Sequence, residues 1–364
     1  MKKEVISEKQ GISLIVMFIL GSSVIEVSGL EAGKDFWIAI ILAILMAIPL
    51  VLIYARILSI FPGNNLFDII EICFGKFIGK GVMIIFTLFI FEEGAELLRN
   101  IGHFIVSSSL TESSLVMVML YIVILSIWVA KLGIEVLARW GEFFLIILIT
   151  FVFFSILLLT PDMNIINVLP VFDEGIKPII TGAYEVFIFP FAQTFTFTMI
   201  FYNYKKKSFS YRVYIPGLLI GGALLFAISV NGLLVLGIDE ASNAYYASYE
   251  AIKRMNIGGF VQRIEIIIAT IFILGGFVKA SIYLLATTAG VSKIFGTADY
   301  RFIVIPIGAL MLNLAHLEFD NMIHYFRFAD VWYFYVTPFL VILPIIIWII
   351  AEIKGKRLSK GKNE

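Results

Sequence analysis

The chain is poor in charged residues, in cysteine and in histidine. Only 15% of its 364 residues are Asp, Glu, Lys or Arg, too few to cover the surface of a soluble protein of this size. The single cysteine, Cys73, excludes an internal disulfide and any cysteine-based metal cluster. The 27 basic and 27 acidic residues cancel, so no basic field for nucleic acid is present.

Apolar residues are abundant instead. They make up 60% of the chain, and the mean hydropathy is +1.00, as in a protein with many membrane spans. No phosphate-binding loop, nucleophile elbow or zinc-protease motif occurs, so the sequence gives no support for an enzyme. We predict an all-α integral membrane protein that is not an enzyme and needs no cofactor or metal.

Ten segments are long and apolar enough to cross a bilayer, and we number them spans 1 to 10. They run near Ile12 to Gly29, Phe36 to Leu58, Val82 to Val106, Leu115 to Ala130, Phe143 to Leu159, Ile179 to Tyr202, Val213 to Leu236, Ile264 to Thr288, Phe302 to Leu317 and Trp332 to Ile350. The loops are short, so we expect one membrane domain over residues 1–364, with halves of about 1–160 and 161–364.

Basic residues are distributed unequally between the two sides of the predicted bundle. With the N-terminus inside, 19 of the 27 Lys and Arg residues fall on the inner side and 7 on the outer side, and Lys279 lies within span 8. Lys and Arg are retained on the cytoplasmic side of membrane proteins. We therefore expect both termini to be cytoplasmic.

Two spans are interrupted near their middles, and each opens one half of the chain. Span 1 is broken at Gly21, Ser22 and Ser23, and span 6 at Phe189, Pro190 and Phe191, which precede Gln193. An even division of ten spans gives halves of inverted topology, in which broken helices meet near the midplane and form a binding site. The alternative is a small-residue packing face in span 1 and an ordinary proline kink in span 6.

Span 3 carries a polar stripe, and span 8 carries a lysine. Ionised side chains at this depth face a cavity or a partner because lipid does not solvate them. The stripe predicts a water-filled vestibule, with an intrahelical Glu96–Arg99 pair as the alternative for part of it. For Lys279 we expect carbonyl acceptors at the helix break, with Glu26 as a possible carboxylate partner; the alternative is a snorkelling or purely structural lysine. The stripe consists of Glu92, Glu96, Arg99 and His103, flanked by Glu93 and Asn100, and in span 8 Lys279 shares one face with Gly275 and Tyr283.

Several short motifs, in order and at similar spacing, resemble the B-subunit, permease-like proteins of spore germinant receptors. They are Asp35 with Trp37-Ile38, Tyr54-Ala55-Arg56, Phe61-Pro62-Gly63, Phe74-Gly75-Lys76, Leu169-Pro170-Val171, Glu174-Gly175-Ile176-Lys177-Pro178, Phe189-Pro190-Phe191 and Gly275-Gly276-Phe277-Val278-Lys279. The likeness covers nearly the whole chain. It implies the LeuT-like fold of the amino acid/polyamine/organocation superfamily, a five-plus-five inverted repeat with discontinuous helices 1 and 6.

The resemblance also implies a role. Such a protein senses a small nutrient, commonly an amino acid, in the inner membrane of a spore, together with an A subunit and a lipoprotein C subunit. Binding sites in this family lie between helices 1, 3, 6 and 8. The corresponding candidates are Gly21, Ser22, Ser23, Glu92, Glu93, Glu96, Phe191, Gln193, Lys279 and Tyr283.

Two other functions fit the same residues. A proton-coupled amino acid transporter would use Lys279 or Glu92 as the titrating group, and a cation or water channel would use the span 3 stripe. The resemblance adds that a lysine ammonium on helix 8 can replace the cation that sodium-coupled relatives hold between helices 1 and 8.

The orientation can be tested by cysteine labelling. After Cys73→Ala, a cysteine at Lys205 should be protected from a membrane-impermeant reagent applied outside, and one at Asn243 should react. The reverse pattern would invert the predicted topology.

Overall fold

The structure is a computed structural model that describes residues 5–202, 208–253, 265–297, 299–318 and 322–360. Every regular element in these ranges is helical. The α-helices, in chain order, are α1 Glu8–Ser23, α2 Phe36–Ile60, α3 Leu66–Ser108, α4 Leu115–Leu132, α5 Ile134–Leu159, α6 Ile176–Val186, α7 Phe197–Ile200, α8 Phe209–Leu236, α9 Ile238–Asn243, α10 Ala247–Lys253, α11 Glu265–Phe295, α12 Val304–Leu317, α13 Met322–Thr337 and α14 Leu343–Lys360.

Short 3₁₀ and π segments join several of these helices. The 3₁₀ segments are Leu30–Asp35, Thr160–Asp162, Ile165–Val168, Ala192–Thr196 and Tyr300–Phe302, and the π segments are Phe187–Phe191 and Pro338–Ile342. Seven helical segments of the described chain are long and apolar enough to cross a membrane, and α12 is a shorter apolar helix. The chain is therefore an integral membrane protein. Spans 1, 6 and 9 correspond to shorter helical pieces, so the count of ten stays a prediction.

Helix α1 lies at the centre of the bundle. It begins at a capping box in which the Ser7 hydroxyl accepts from the Gln10 N–H at 3.1 Å and the Gln10 side chain accepts from the Ser7 N–H at 3.0 Å. From Leu14 to Leu20 every side chain is fully buried, which a helix with an amphipathic surface could not achieve. α1 packs against α5, α8 and α11, so these helices surround it.

The first interruption lies later in the chain than predicted. Gly21, Ser22 and Ser23 form the last turn of α1, because the Ser23 hydroxyl donates to the Ile19 carbonyl 2.5 Å away and the helix continues through this position. The non-helical stretch is residues 24–29, followed by the 3₁₀ segment Leu30–Asp35. The predicted interruption of span 1 is present, but its placement at Gly21 to Ser23 was wrong, since it begins after Ser23.

Neighbouring helices satisfy the backbone of residues 24–29. The Ile25 carbonyl accepts from the Ser248 N–H at 3.0 Å, the Glu26 carbonyl accepts from the Ser248 hydroxyl at 2.8 Å, and the Ser28 N–H donates to the Ser229 hydroxyl at 3.1 Å. Irregular backbone persists at membrane depth only where protein or water supplies its partners. Here α8 and α10 supply them.

The second interruption lies where the sequence predicts it. Phe189 has φ −122° and ψ 115°, outside the helical region, at the junction between α6 and the 3₁₀ segment Ala192–Thr196. The Tyr54 hydroxyl is 3.2 Å from the Ala192 carbonyl and 2.5 Å from the Leu340 carbonyl, so α2 holds this junction against the π segment before α14. The predicted break in span 6 is confirmed.

The start of α1 and the end of α14 lie at one face of the bundle, which we call the terminal face. Ion pairs join helix ends there: Arg212–Glu8 at 3.4 Å, Lys9–Glu142 at 2.6 Å, Arg56–Glu352 at 2.5 Å, and Lys293 with Asp68 at 2.7 Å and Glu71 at 2.8 Å. Within α3, Gly75 has φ 77° and ψ 178°, which only glycine adopts readily, so residues 66–74 form a separate piece at this face. Whether this face is cytoplasmic stays a prediction.

Helices α1 and α11 touch through their backbones at Gly21 and Gly275. A Cβ added at Gly21 would lie 2.5 Å from the Gly275 carbonyl oxygen, and one added at Gly275 would lie 2.7 Å from the Gly21 Cα. Glycine at both positions is what allows the two helices to approach this closely.

This contact predicts that Gly21→Leu disrupts packing, because backbone cannot move aside as a flexible side chain can. We expect a loss of more than about 3 kcal/mol in stability and a low abundance in the membrane. Gly81→Leu is the matched control, since a Cβ there meets nothing within 4 Å. Normal amounts of folded Gly21→Leu protein, measured by size-exclusion chromatography in detergent, would contradict the prediction.

Candidate ligand-binding site

A cavity of about 310 Å³ lies between the two interruptions. The stretch after α1, helix α3, the α6 break and α11 form its deep end, and residues from α13 and from the segment before α10 continue it away from the terminal face. Its volume is at the lower end of the range for small-ligand sites. Its polar and charged lining residues are Ser22, Glu26, Ser28, Glu31, Glu93, Glu96, Asn100, Glu185, Gln193 and Lys279, and its aromatic ones are Phe189, Tyr245, Tyr283, Trp332 and Tyr333.

Lys279 occupies the deep end of the cavity and is only 1% exposed. Its Nζ donates to the Ser22 hydroxyl and to the Gln193 side-chain oxygen, each 2.6 Å away. The same nitrogen lies 4.7 Å from the centre of the Phe18 ring and 4.8 Å from that of Phe189, distances at which ring faces attract a cation. The ammonium group therefore links α1, the α6 break and α11.

A hydrogen-bonded series extends from Lys279 to α3. The Gln193 amide nitrogen donates to Glu93 Oε2 at 2.6 Å, and the Tyr283 hydroxyl is 3.3 Å from the same oxygen. Gln193 thus uses its oxygen for the ammonium and its nitrogen for the carboxylate, the one arrangement of an amide that suits both. We call Ser22, Lys279, Gln193, Glu93 and Tyr283 the polar chain.

One carboxylate oxygen of the polar chain has no partner. Glu93 is 3% exposed, and its Oε1 atom is buried without a hydrogen bond. A buried acceptor of this kind is costly unless a donor reaches it. Because Glu93 lines the cavity, a donor group on a molecule in the cavity can supply that hydrogen bond.

Aromatic rings close the cavity towards the terminal face. The Phe18 ring packs edge-on against Tyr283 and Phe197, with centroids 5.3 and 5.2 Å apart, and Phe195 contacts both Phe86 and Tyr54. All of these rings are buried. These packed rings therefore lie between the cavity and the terminal face.

Six of the ten predicted site residues line this cavity: Ser22, Glu93, Glu96, Gln193, Lys279 and Tyr283. The other four do not. Gly21 packs against Gly275, Ser23 is bonded to the Ile19 carbonyl, and Phe191 is fully buried beside Gly222. Glu92 accepts a hydrogen bond from the Tyr335 hydroxyl at 2.9 Å and lies outside the cavity lining.

The predicted stripe on span 3 divides in the structure. Glu93 and Glu96 line the cavity, whereas Arg99 donates to His103 at 2.8 Å and to the carbonyls of Ala315 and His316 at 3.1 and 2.9 Å. Arg99 therefore binds the C-terminal end of α12, a favourable position for a cation. A single water-filled vestibule along the whole stripe is not what the structure contains.

One detail predicted for Lys279 was also wrong. Its acceptors are the Ser22 and Gln193 side chains rather than carbonyls of the broken helix, because the carbonyls of Ile25 and Glu26 already accept from Ser248. Glu26 lines the same cavity as Lys279, and its role as a carboxylate partner of this lysine stays a prediction. The snorkelling alternative is excluded by the burial of Lys279 and by its acceptors in the middle of the bundle.

Several lining residues were missed. The sequence placed Glu31 in an outer loop and Glu185 within span 6. It placed Trp332 and Tyr333 at the start of span 10. The sequence did contain an indication that Glu185 lies near the site, because this residue is only four positions before the predicted break at Phe189. Among the described residues, no group of three or more His, Cys, Asp or Glu side chains is placed to hold a metal ion.

Comparison with solved structures supports the same architecture. A nucleobase-cation-symport-1 family transporter, MHP1, in a closed conformation with bromovinylhydantoin bound, superposes with a TM-score of 0.65 over 92% of this chain and 77% of that one. Sequence identity is 15%, so the likeness concerns the fold alone. The fold is LeuT-like.

Sequence comparison identifies relatives along the whole length. The chain is 27% identical to spore germination protein KB of Bacillus subtilis (strain 168), over 100% of this chain and 99% of that protein. It is 22% identical to spore germination protein A2 of the same organism, over 96% of each chain. The sequence profile of the spore germination proteins named Spore_permease matches residues 5–323. The chain therefore belongs to the Spore_permease family of spore germination proteins.

Proposed function

We propose that this protein is the nutrient-sensing, permease-like subunit of a spore germinant receptor. It binds a small germinant, such as an amino acid, in the cavity near the membrane midplane and so triggers germination. The observation that supports this most is the position of the cavity, between two helix interruptions and lined by the polar chain. In LeuT-like proteins this is where broken helices create a small-molecule site.

The proposed architecture is one membrane domain over residues 1–364. It has ten spans in two inverted halves of about 1–160 and 161–364, with α1 and residues 24–29 forming span 1 and α6 to α7 forming span 6. The terminal face is cytoplasmic, and the cavity is reached from the opposite side. The protein lies in the spore inner membrane, where the lipid covers the exposed apolar side chains of α4 and α5.

Binding and signalling are coupled through the polar chain. A ligand that hydrogen-bonds to Glu93, Gln193 or Lys279 changes contacts that join α1, α3, the α6 break and α11 at once. Packed helices respond to such a change by shifting between discrete arrangements. A change in helix arrangement would alter the contacts between this bundle and the A and C receptor subunits. No covalent chemistry is involved.

A proton-coupled amino acid transporter is the second candidate. The observation that favours it is the similarity of the fold to a cation symporter, together with a buried lysine joined through Gln193 to a carboxylate. A cation or water channel has less support, because the rings around Phe18 close the route to the terminal face.

Reconstitution distinguishes the two. Purified protein in liposomes is given each labelled amino acid, with and without a proton gradient, and both bound and internal label are counted. Saturable binding without accumulation supports a receptor, and accumulation driven by the gradient supports a transporter. If no amino acid binds, and if deletion of the gene leaves the response of spores to every amino acid unchanged, the proposed function is wrong.

The polar chain generates a prediction for Lys279→Met. The substitution keeps the length of the side chain but leaves the Ser22 hydroxyl and the Gln193 oxygen without their donor, which costs about 1–3 kcal/mol for each buried group left unpaired. We expect weaker ligand binding, by about tenfold or more, and a lower midpoint of thermal unfolding in detergent. Lys131→Met, on an exposed side chain, is the control and should match the parent.

The same experiment tests for a sodium requirement. Because the Lys279 ammonium already lies between α1 and α11, we expect binding to be equal with sodium or choline as the sole monovalent cation. Sodium-dependent binding in the parent, or full binding by Lys279→Met, would contradict the role given to this lysine.

A further inference from the structure

We infer that the ligand of this cavity is a small organic cation whose ammonium group binds Glu93 Oε1. The inference rests on the proposed function and narrows it, since it selects positively charged amines from among the small nutrients that such a site could take.

Acidic side chains outnumber basic ones around the cavity. Five glutamates line it and one lysine, and no arginine or histidine of the described chain does. Carboxylates that share an enclosed site repel one another and are stabilised by a cation among them. A cation favours the ionised form of these carboxyl groups and offsets their repulsion, whereas a zwitterion adds no net charge.

The one ammonium group of the cavity already has protein partners. Lys279 donates to Ser22 and Gln193 and lies against two ring faces, so its charge is solvated by the protein before any ligand arrives. A ligand carboxylate would have to compete with these acceptors. The atom of the polar chain that lacks a hydrogen bond is an acceptor, the Oε1 atom of Glu93.

Glu93 marks where the cation binds. Its Oε2 atom is held by Gln193 and Tyr283, which fixes the orientation of the carboxylate, and its Oε1 atom is buried and without a partner. A primary ammonium placed there forms a charge-assisted hydrogen bond, roughly twice as strong as a neutral one. This unpartnered oxygen, and not the number of acidic residues, locates the site.

Aromatic side chains complete the recognition. Phe189, Tyr245, Trp332 and Tyr333 line the same cavity, and ring faces attract ammonium groups that have lost their water. Carboxylates combined with aromatic rings favour a compact organic cation over a metal ion, because ring faces attract ammonium groups and no group of three or more His, Cys, Asp or Glu side chains in the described chain is placed to hold a metal ion. The volume of about 310 Å³ suits a molecule the size of an amino acid.

The test compares L-lysine with L-norleucine, which differ only by the terminal ammonium group. Affinities are measured by calorimetry on the full chain in nanodiscs, for the parent, for Glu93→Gln and for Glu92→Gln. Glu92→Gln is a matched control because it removes a carboxylate one residue away that bonds to Tyr335 outside the cavity. The parent should bind lysine about tenfold or more tightly than norleucine, the size of one hydrogen bond to a charged group.

Glu93→Gln should remove this preference by weakening lysine binding, and Glu92→Gln should preserve it. Norleucine binding as tightly as lysine in the parent would overturn the inference while leaving the proposed function intact, and this comparison needs no variant to fold. Undiminished lysine binding by Glu93→Gln would overturn it as well. Failure of every amino acid to bind the parent, together with an unchanged response of spores that lack the gene, would remove the proposed function and the inference with it.

Discussion

The buried ammonium of Lys279 is the interaction on which the centre of the bundle depends. A charge at this depth is tolerated only with close partners, and here they come from two other segments: Ser22 at the end of α1 and Gln193 after the α6 break. Each of those segments is irregular nearby and could adopt other arrangements. The lysine selects the arrangement in which both segments face α11.

The two interruptions are stabilised in different ways. After α1 ends, backbone carbonyls and an N–H group of residues 24–29 form hydrogen bonds with Ser229 and Ser248. Helices α8 and α10 therefore hold this stretch in place. In span 6 the chain changes from α to π and 3₁₀ geometry, and Tyr54 holds the junction from α2. Small hydroxyl side chains and one tyrosine thus replace the water that a soluble protein would use.

Much of this could be predicted from the sequence. The apolar runs predict a helical membrane protein, Phe189-Pro190-Phe191 predicts the second break, and the rarity of a lysine within a span identifies Lys279 as a central residue. These signals lie within single segments of the sequence, because each reflects which residues a lipid bilayer tolerates.

The remaining features depend on contacts between distant segments. The helical period alone placed Glu92 on the same face as Glu96, but α3 is rotated so that Glu93 faces the cavity and Glu92 faces Tyr335. The partners of Lys279 and the close approach of Gly21 to Gly275 likewise require the packed bundle. No pattern within one span encodes the orientation of that span about its own axis.

The Gly21–Gly275 contact has a mechanical consequence. Since backbone meets backbone there, α11 has a fixed point near the cavity, and its far end at Lys293 lies about 27 Å away at 1.5 Å per residue. A tilt of about 5° around this pivot displaces that end by about 2 Å, by simple leverage along a rigid helix. Lys293 is bonded to Asp68 and Glu71 in the separate first piece of α3, and Lys354 of α14 donates to the Ile72 carbonyl in the same piece. A small angular change at the cavity is thereby converted into a linear displacement of the terminal face.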